Sequence, residues 1–182
     1  MSTNYNNSQD RIVMLDKSAT EVVNTRAIRA SVAITPTVTA DGHVAGDVIG
    51  GILTFANALR MAGGTAMVVD AQVHCKIGGY TTGAFDLFLF SKLPTGTYTD
   101  SAAFALDAAD LPNLLHVRHL ADFSNGGAAA ACYQEAAPTR RPVFNNETTV
   151  LASIYGILVT RTATLNLTGT ADVTAIIDLE QD

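Results

Sequence analysis

Tryptophan is absent from this chain of 182 residues, and lysine, glutamate and cysteine are nearly so, with three, four and two copies. Each scarcity excludes something. Sugar clefts usually carry an aromatic platform, so a carbohydrate site is not expected. Lysine and glutamate ordinarily cover the wet faces of helices, and without them a helical architecture is disfavoured. The formal charge is −6, the pI is near 5.0, and the densest basic feature is the pair Arg140–Arg141. A nucleic-acid partner needs a basic face to displace counterions, so none is expected. Cys75 and Cys132 allow at most one bridge. The opening MSTNYNNSQDRIVML has no basic start followed by an apolar core, so no secretory leader is expected, and the two cysteines read as buried, reduced thiols.

What the chain has in quantity is threonine, with 22 residues, and valine, with 15. Both fit a pleated, half-buried surface. Short apolar runs alternate with Gly, Pro, Asn and Asp, the pattern of a sandwich or barrel. Alanine, with 28 residues, favours helix on propensity alone, but the period-two alternation outweighs it. Residues 1–25 are mixed and polar and read as an N-terminal arm; residues 26–182 read as one all-β domain of eight or nine strands.

The stretch GDVIGGILTFANALRMAGG, from Gly46 to Gly64, admits three readings. A membrane span needs about 20 apolar residues, and Asp47, Asn57 and Arg60 break this one; no membrane partner is expected. A phosphate loop needs Lys followed by Ser or Thr after its second glycine, where the chain has Ile52-Leu53. The third reading, extended segments bent at Gly50-Gly51, is the one adopted. Further strands are expected at 31–39, with Pro36 marking an edge or bulge, and at 68–77, where Val69, Ala71, Val73, Cys75 and Ile77 share a face opposite Asp70, Gln72, His74 and Lys76. Residues 85–92 follow, apolar on both faces and therefore central or covered by another subunit. The segment 107–112 reads as a helical turn capped by Asp107. Strands at 113–121, at AAAACYQE (128–135), whose small residues let backbones approach closely, and at 150–161, 163–168 and 172–179 complete the set, with Gly156 marking a bulge or close contact. ADGHVAG (40–46) reads as a turn and APTRRPVFNNETT (137–149) as a loop.

The residues that look chemical form no site. His116 and His119 point to opposite faces of a strand, as do His74 and Cys75, so no single metal takes either pair. Asp100, Asp107 and Asp110 lack the alternation of a calcium loop, and capping and turn formation account for them. The zincin and nucleophile-elbow motifs are missing. No catalytic, cofactor-binding or metal residue is assigned, and the chain is not expected to be an enzyme.

Taken together, AGDVIGGILTFANALR, AGGTAMVVDAQVHCK, FDLFLFSKLPTGTYTDSAAFALDAADLPNLLHV and SIYGILVTRTA give the chain its resemblance to small virion proteins of tailed bacteriophages, over roughly residues 45–180. The resemblance implies a jelly-roll-like antiparallel β-sandwich on the head surface, made in the bacterial host cytoplasm. It implies a decoration (cement) protein that binds the major capsid protein, clamps capsomers and forms a homo-oligomer, a trimer being favoured. Interface segments are then expected in the arm, at Gly50–Arg60 and in the aromatic strand 85–90. A tail, collar or baseplate module, or a carbohydrate-binding module, are the alternatives.

Overall fold

A computed structural model of the chain describes residues 28–40, 42–76, 84–125, 131–135, 139–145, 152–161, 164–169 and 171–181, together with the backbone of 12–15 and 21–24. The strands among them are β1 (Ile12–Leu15), β2 (Glu21–Asn24), β3 (Ile28–Ile34), β4 (Gly42–Val44), β5 (Val48–Phe55), β6 (Thr65–Cys75), β7 (Phe85–Phe90), β8 (Leu114–Leu120), β9 (Asp122–Asn125), β10 (Ala131–Gln134), β11 (Arg141–Phe144), β12 (Ile154–Thr160), β13 (Thr164–Asn166) and β14 (Val173–Gln181). No α-helix occurs among the described residues; a 3-10 turn covers Leu111–Asn113.

Two antiparallel sheets form the sandwich. Sheet I runs β3-β14-β6-β10-β9, with β11 also pairing β6, and sheet II runs β5-β12-β7-β8. Alternation explains which faces meet. On β14 Val173, Ala175, Ile177 and Leu179 are buried and the residues between them are half-exposed. Ala71, Val73 and Cys75 of β6 join them, and Phe85, Leu87 and Leu89 of β7 close the core from sheet II. Burying a side chain of this kind contributes roughly 1.5–3 kcal/mol.

The second face of sheet II is buried too. Val48, Ile52, Phe88, Phe90, Tyr155, Ile157 and Val159 pack there against Tyr98, Phe104 and Leu106 of the loop that follows β7. Phe88 and Phe104 have ring centroids 4.4 Å apart, and Tyr98 and Phe104 are stacked at 5.9 Å. The aromatic strand β7 is therefore central, and its outer face is covered by this chain's own loop. The reading of 85–90 as an interface segment is corrected accordingly.

Glycines set two of the bends. Gly50 and Gly51 have φ of +72° and +76°, and the β5–β12 register jumps there, so that Ile157 faces Ile52 while Leu158 faces Ile49. The irregularity sends Ile49 into the main core and Ile52 to the loop side, as a bend at these glycines implies. Gly156 is a close contact: a Cβ there would lie 2.8 Å from Phe55 Cε2 and 3.2 Å from Leu87 Cδ1.

Other expectations need correction. The strand expected at 31–39 starts at Ile28 and stops before Pro36, and it is an edge. On β6 Val68 is buried and Val69 only half-buried, because a register shift against β14 between Asp178 and Leu179 leaves Val69 as the extra residue. Part of the 40–46 turn is strand β4, paired with β13, and part of the 137–149 loop is strand β11. Pro142 is tolerated in β11 because that strand pairs on one side only, with β6. The strands outnumber the eight or nine expected because these short pairings carry no alternation long enough to read. Within residues 1–25, β1 and β2 pair with each other; the remainder of that segment lies outside the described residues, as does Ile77 of the strand expected at 68–77.

Candidate functional site

Three carboxylates, each the centre of a local hydrogen-bond set, hold the loops of the sandwich. Asp110 is buried and accepts from the Thr95 N–H at 2.7 Å, the Thr95 hydroxyl at 3.0 Å, the Gly96 N–H at 2.9 Å and the Tyr98 hydroxyl at 2.7 Å. Burial alone would raise its pKa, but these donors outweigh it and hold the carboxyl below the ordinary range. Tyr98 in turn receives the Asp107 N–H at 3.1 Å. Asp107 accepts from the Ala109 N–H at 2.8 Å and closes a tight turn; the expected cap is corrected, because the 3-10 turn begins only after Asp110. Asp172 accepts from Thr168 and Gly169 in the same manner, and its pKa is likewise lowered against the effect of burial.

Asp100 organises the most chemical-looking cluster. It accepts from the Thr39 N–H and hydroxyl, both at 2.7 Å, and from the Gly50 N–H at 2.6 Å. His43, fully buried, places Nε2 3.0 Å from Asp100 Oδ1 and 3.0 Å from Ser101 Oγ. Ser101 has φ of +60°. Serine, histidine and aspartate thus meet, but not as a nucleophilic relay. A relay needs the carboxylate on one ring nitrogen and the serine on the other. Here both lie at Nε2, and the ionised Asp100, whose pKa is lowered by its donors despite burial, makes that nitrogen a donor. Nε2 has no lone pair left to take the serine proton. What the cluster does is mechanical: it ties the loop after β7 to β4, to the segment after β3 and to the Gly50 bend.

The histidine quartet is divided as its spacing implies. On β8, His116 and Arg118 lie opposite Leu89 and Leu87 on the core side, while His119 lies opposite Asp86 on the outer side. His119 Nδ1 is 2.5 Å from Asp86 Oδ1, and Arg161 binds Asp86 Oδ2 at 2.7 Å. His116 is pushed down to about 4, first by burial and then by the charges of Arg118 and Arg141. Arg118 is 1 % exposed, and its guanidinium donates to Glu135 at 2.8 Å, the Thr139 carbonyl at 2.5 Å and the Val68 carbonyl at 2.9 Å. This ion pair ties the chain after β10 to β6 and β8.

The cysteines also part company. Cys75 is buried in the core with its pKa raised to about 12, by burial and then by Asp172. Cys132 is half-buried, which corrects the expectation of two buried thiols; the two do not form a disulfide with each other. Cys132 lies directly opposite His74, so a pair that sequence spacing did not suggest does meet across strands. Among the described residues no group of three or more His, Cys, Asp or Glu is placed to hold a metal ion, and no helix is long and apolar enough to cross a membrane.

Of the expected interface segments, Gly50–Arg60 is divided: Leu53, Phe55, Ala58 and Leu59 are buried, while Thr54, Ala56, Asn57 and Arg60 are exposed. Exposed large apolar residues are instead spread over Ile28, Val44, Met61, Leu93, Leu111, Val117 and Phe144. No signal in the chain marks the Asp100–His43 cluster or the buried Arg118, because their partners are 57 and 17 residues away.

The chain matches no protein-family model and no characterised protein to which it was compared.

Proposed function

We propose that this protein is a structural component of a tailed-phage virion, a decoration protein that binds the outside of the head and stabilises contacts between capsomers. The observation that supports this most is where the residues behind the resemblance fall. GDVIGGILTF holds β5 with its glycine bend, FDLFLF is β7 and SIYGILVTR holds β12, all in sheet II; KLPTGTYTDSAAFALDAADLP is the loop layer on that sheet, and AGGTAMVVDAQVHCK holds β6 of sheet I. Three dispersed pieces of sequence therefore build one contiguous unit, a sheet whose strands β5, β12 and β7 pack on both faces and whose loop cover is pinned by Asp100 and Asp110, and the fourth supplies the facing strand β6. Rigidity of that kind serves a clamp. The polar clusters serve the same end, since each bonds one loop to another and none presents a reactive atom. The partners under this reading are the major capsid protein and further copies of this chain.

The test is reinforcement. Heads assembled without this protein are heated with and without the purified chain, and genome release is followed by dye fluorescence. Release shifts to higher temperature if the reading holds; an unchanged release temperature at saturating protein would refute it. Removal of residues 1–25 is expected to weaken head binding more than it lowers the melting temperature of the free protein.

A further inference from the structure

The edges of the two sheets are not alike. β5 is bent at Gly50-Gly51 and its start is bridged by Ala103 through Asp47. β8 shifts register between Leu89 and Phe90 and carries Arg118 and two histidines. β9 and β11 have four residues each, and β11 contains Pro142. These are the devices that keep an edge from pairing with another chain. β3 has only one of them, the charge of Arg29. Its seven residues, IRASVAI, run against β14 in unbroken register, without proline, lysine or bulge, and among the described residues its other side has no strand partner.

The apolar positions of β3 are also placed symmetrically about Ser31, so the strand can pair with itself. Reversed upon itself in antiparallel pairing, it sets Ile28 opposite Ile34, Arg29 opposite Ala33, Ala30 opposite Val32, and Ser31 opposite Ser31. Pairing about a twofold axis sets i against j and j against i for any sequence, and here it places no two charges opposite each other. The faces agree as well. Ile28, Ala30, Val32 and Ile34 lie opposite Gln181, Leu179, Ile177 and Ala175, all buried, and so belong to the core side. Yet they are only half-buried, and Ile28 is 46 % exposed. A second β3 would continue that side with apolar residues alone. On the outer side the single charge of the strand, Arg29, would face an alanine rather than another cation.

From this we propose that β3 pairs antiparallel with β3 of a second copy about a twofold axis at Ser31, joining two copies of sheet I into one continuous sheet. The contact is twofold, where the phage resemblance implies a trimer, and it stands on the edge alone, independently of where on a virion the protein sits.

Ala33 is exposed, so substitution there leaves the monomer's core intact. Its register opposite Arg29 of the second copy makes the effect depend on sign. By symmetry Ala33→Lys creates two like-charge pairs across the axis, and Ala33→Glu creates two opposite-charge pairs. Cross-strand charge pairs of this kind act on the order of 0.2–1 kcal/mol each. The full-length protein is examined by sedimentation velocity over a concentration series, with circular dichroism and thermal melting to verify folding. The wild type is expected at twice the 19.1 kDa chain mass. Ala33→Lys should raise the dissociation constant several-fold, and Ala33→Glu should lower it by a similar factor. A monomer or a trimer at all concentrations overturns the proposal. So does a dimer that the two variants change in the same direction, or not at all.

Discussion

Replacing Asp110 by asparagine keeps the size of the side chain and removes its charge, and it isolates what holds the loop layer on sheet II. The carboxylate receives four donors, two of them backbone N–H groups. At Oδ1 the amide oxygen still accepts from Thr95, but without charge, and bonds to a charged acceptor are worth about 1 kcal/mol more than neutral ones. At the other position an NH2 group replaces the acceptor. It confronts the Gly96 N–H, which is left unpaired at about 1–3 kcal/mol, whereas the Tyr98 hydroxyl rotates to accept. The expected loss is therefore on the order of 2–4 kcal/mol, measured by urea denaturation at pH 7. The pH dependence supplies a second readout. Because the folded-state pKa of Asp110 is depressed, its contribution is fully present above the unfolded value of about 3.9. It is lost as pH falls through the folded value. The gap between wild type and Asp110→Asn should thus be constant from neutral pH down to about 4 and close below it. A loss under about 0.5 kcal/mol, the size of a bland surface substitution, or a gap independent of pH down to 2, would refute the assignment of Asp110 as the loop's anchor.

Further expectations follow from the same structure. Gly50→Ala combines a positive φ with overlap of the new Cβ on Pro36, whereas Gly63→Ala has a similar φ and open space around it. The first should lower the melting temperature by several degrees more than the second, and equal shifts would show that the Pro36 contact is unimportant. Arg118→Ala leaves the half-buried Glu135 without its partner and should destabilise by about 3–5 kcal/mol, while the double variant Arg118→Met with Glu135→Gln, which fills the space and removes the charge, should cost much less. Denaturation curves of the two variants decide this, and an Arg118→Ala protein as stable as wild type would contradict the ion pair. Native protein treated with an aromatic disulfide reagent should label one thiol, Cys132, and labelling of Cys75 should wait for unfolding. Rapid modification of both in the folded state would oppose the assigned burial.

Much of the β framework is legible in the chain, and the reasons are local. The alternation in DVTAIIDL and in AQVHC fixes which residues face the core, because a period of two leaves no other choice. Gly50-Gly51 and Gly156 announce themselves as breaks in strands, and the structure gives each a steric cause. Val69 shows where the pattern fails: one extra residue in a register reverses the faces, and nothing in the flanking residues marks the slip. β11 escaped because four residues with a proline resemble a loop. The carboxylate clusters were visible as aspartates in loops but not as anchors, since the donors to Asp100 come from residues 39, 43 and 50. The double burial of β7 was plain from its composition. That the cover is the chain's own loop depends on Phe104 and Tyr98 folding back, a tertiary fact.

The central claim, that this sandwich decorates a phage head, is tested most directly by counting. Purified protein is mixed with expanded heads that lack it, the heads are sedimented, and bound copies per head are quantified against added protein. Saturable binding at hundreds of copies per head is the predicted result, with the plateau giving the symmetry position occupied. No binding, or a plateau near a dozen copies, would contradict the account and move the protein to the portal, collar or tail.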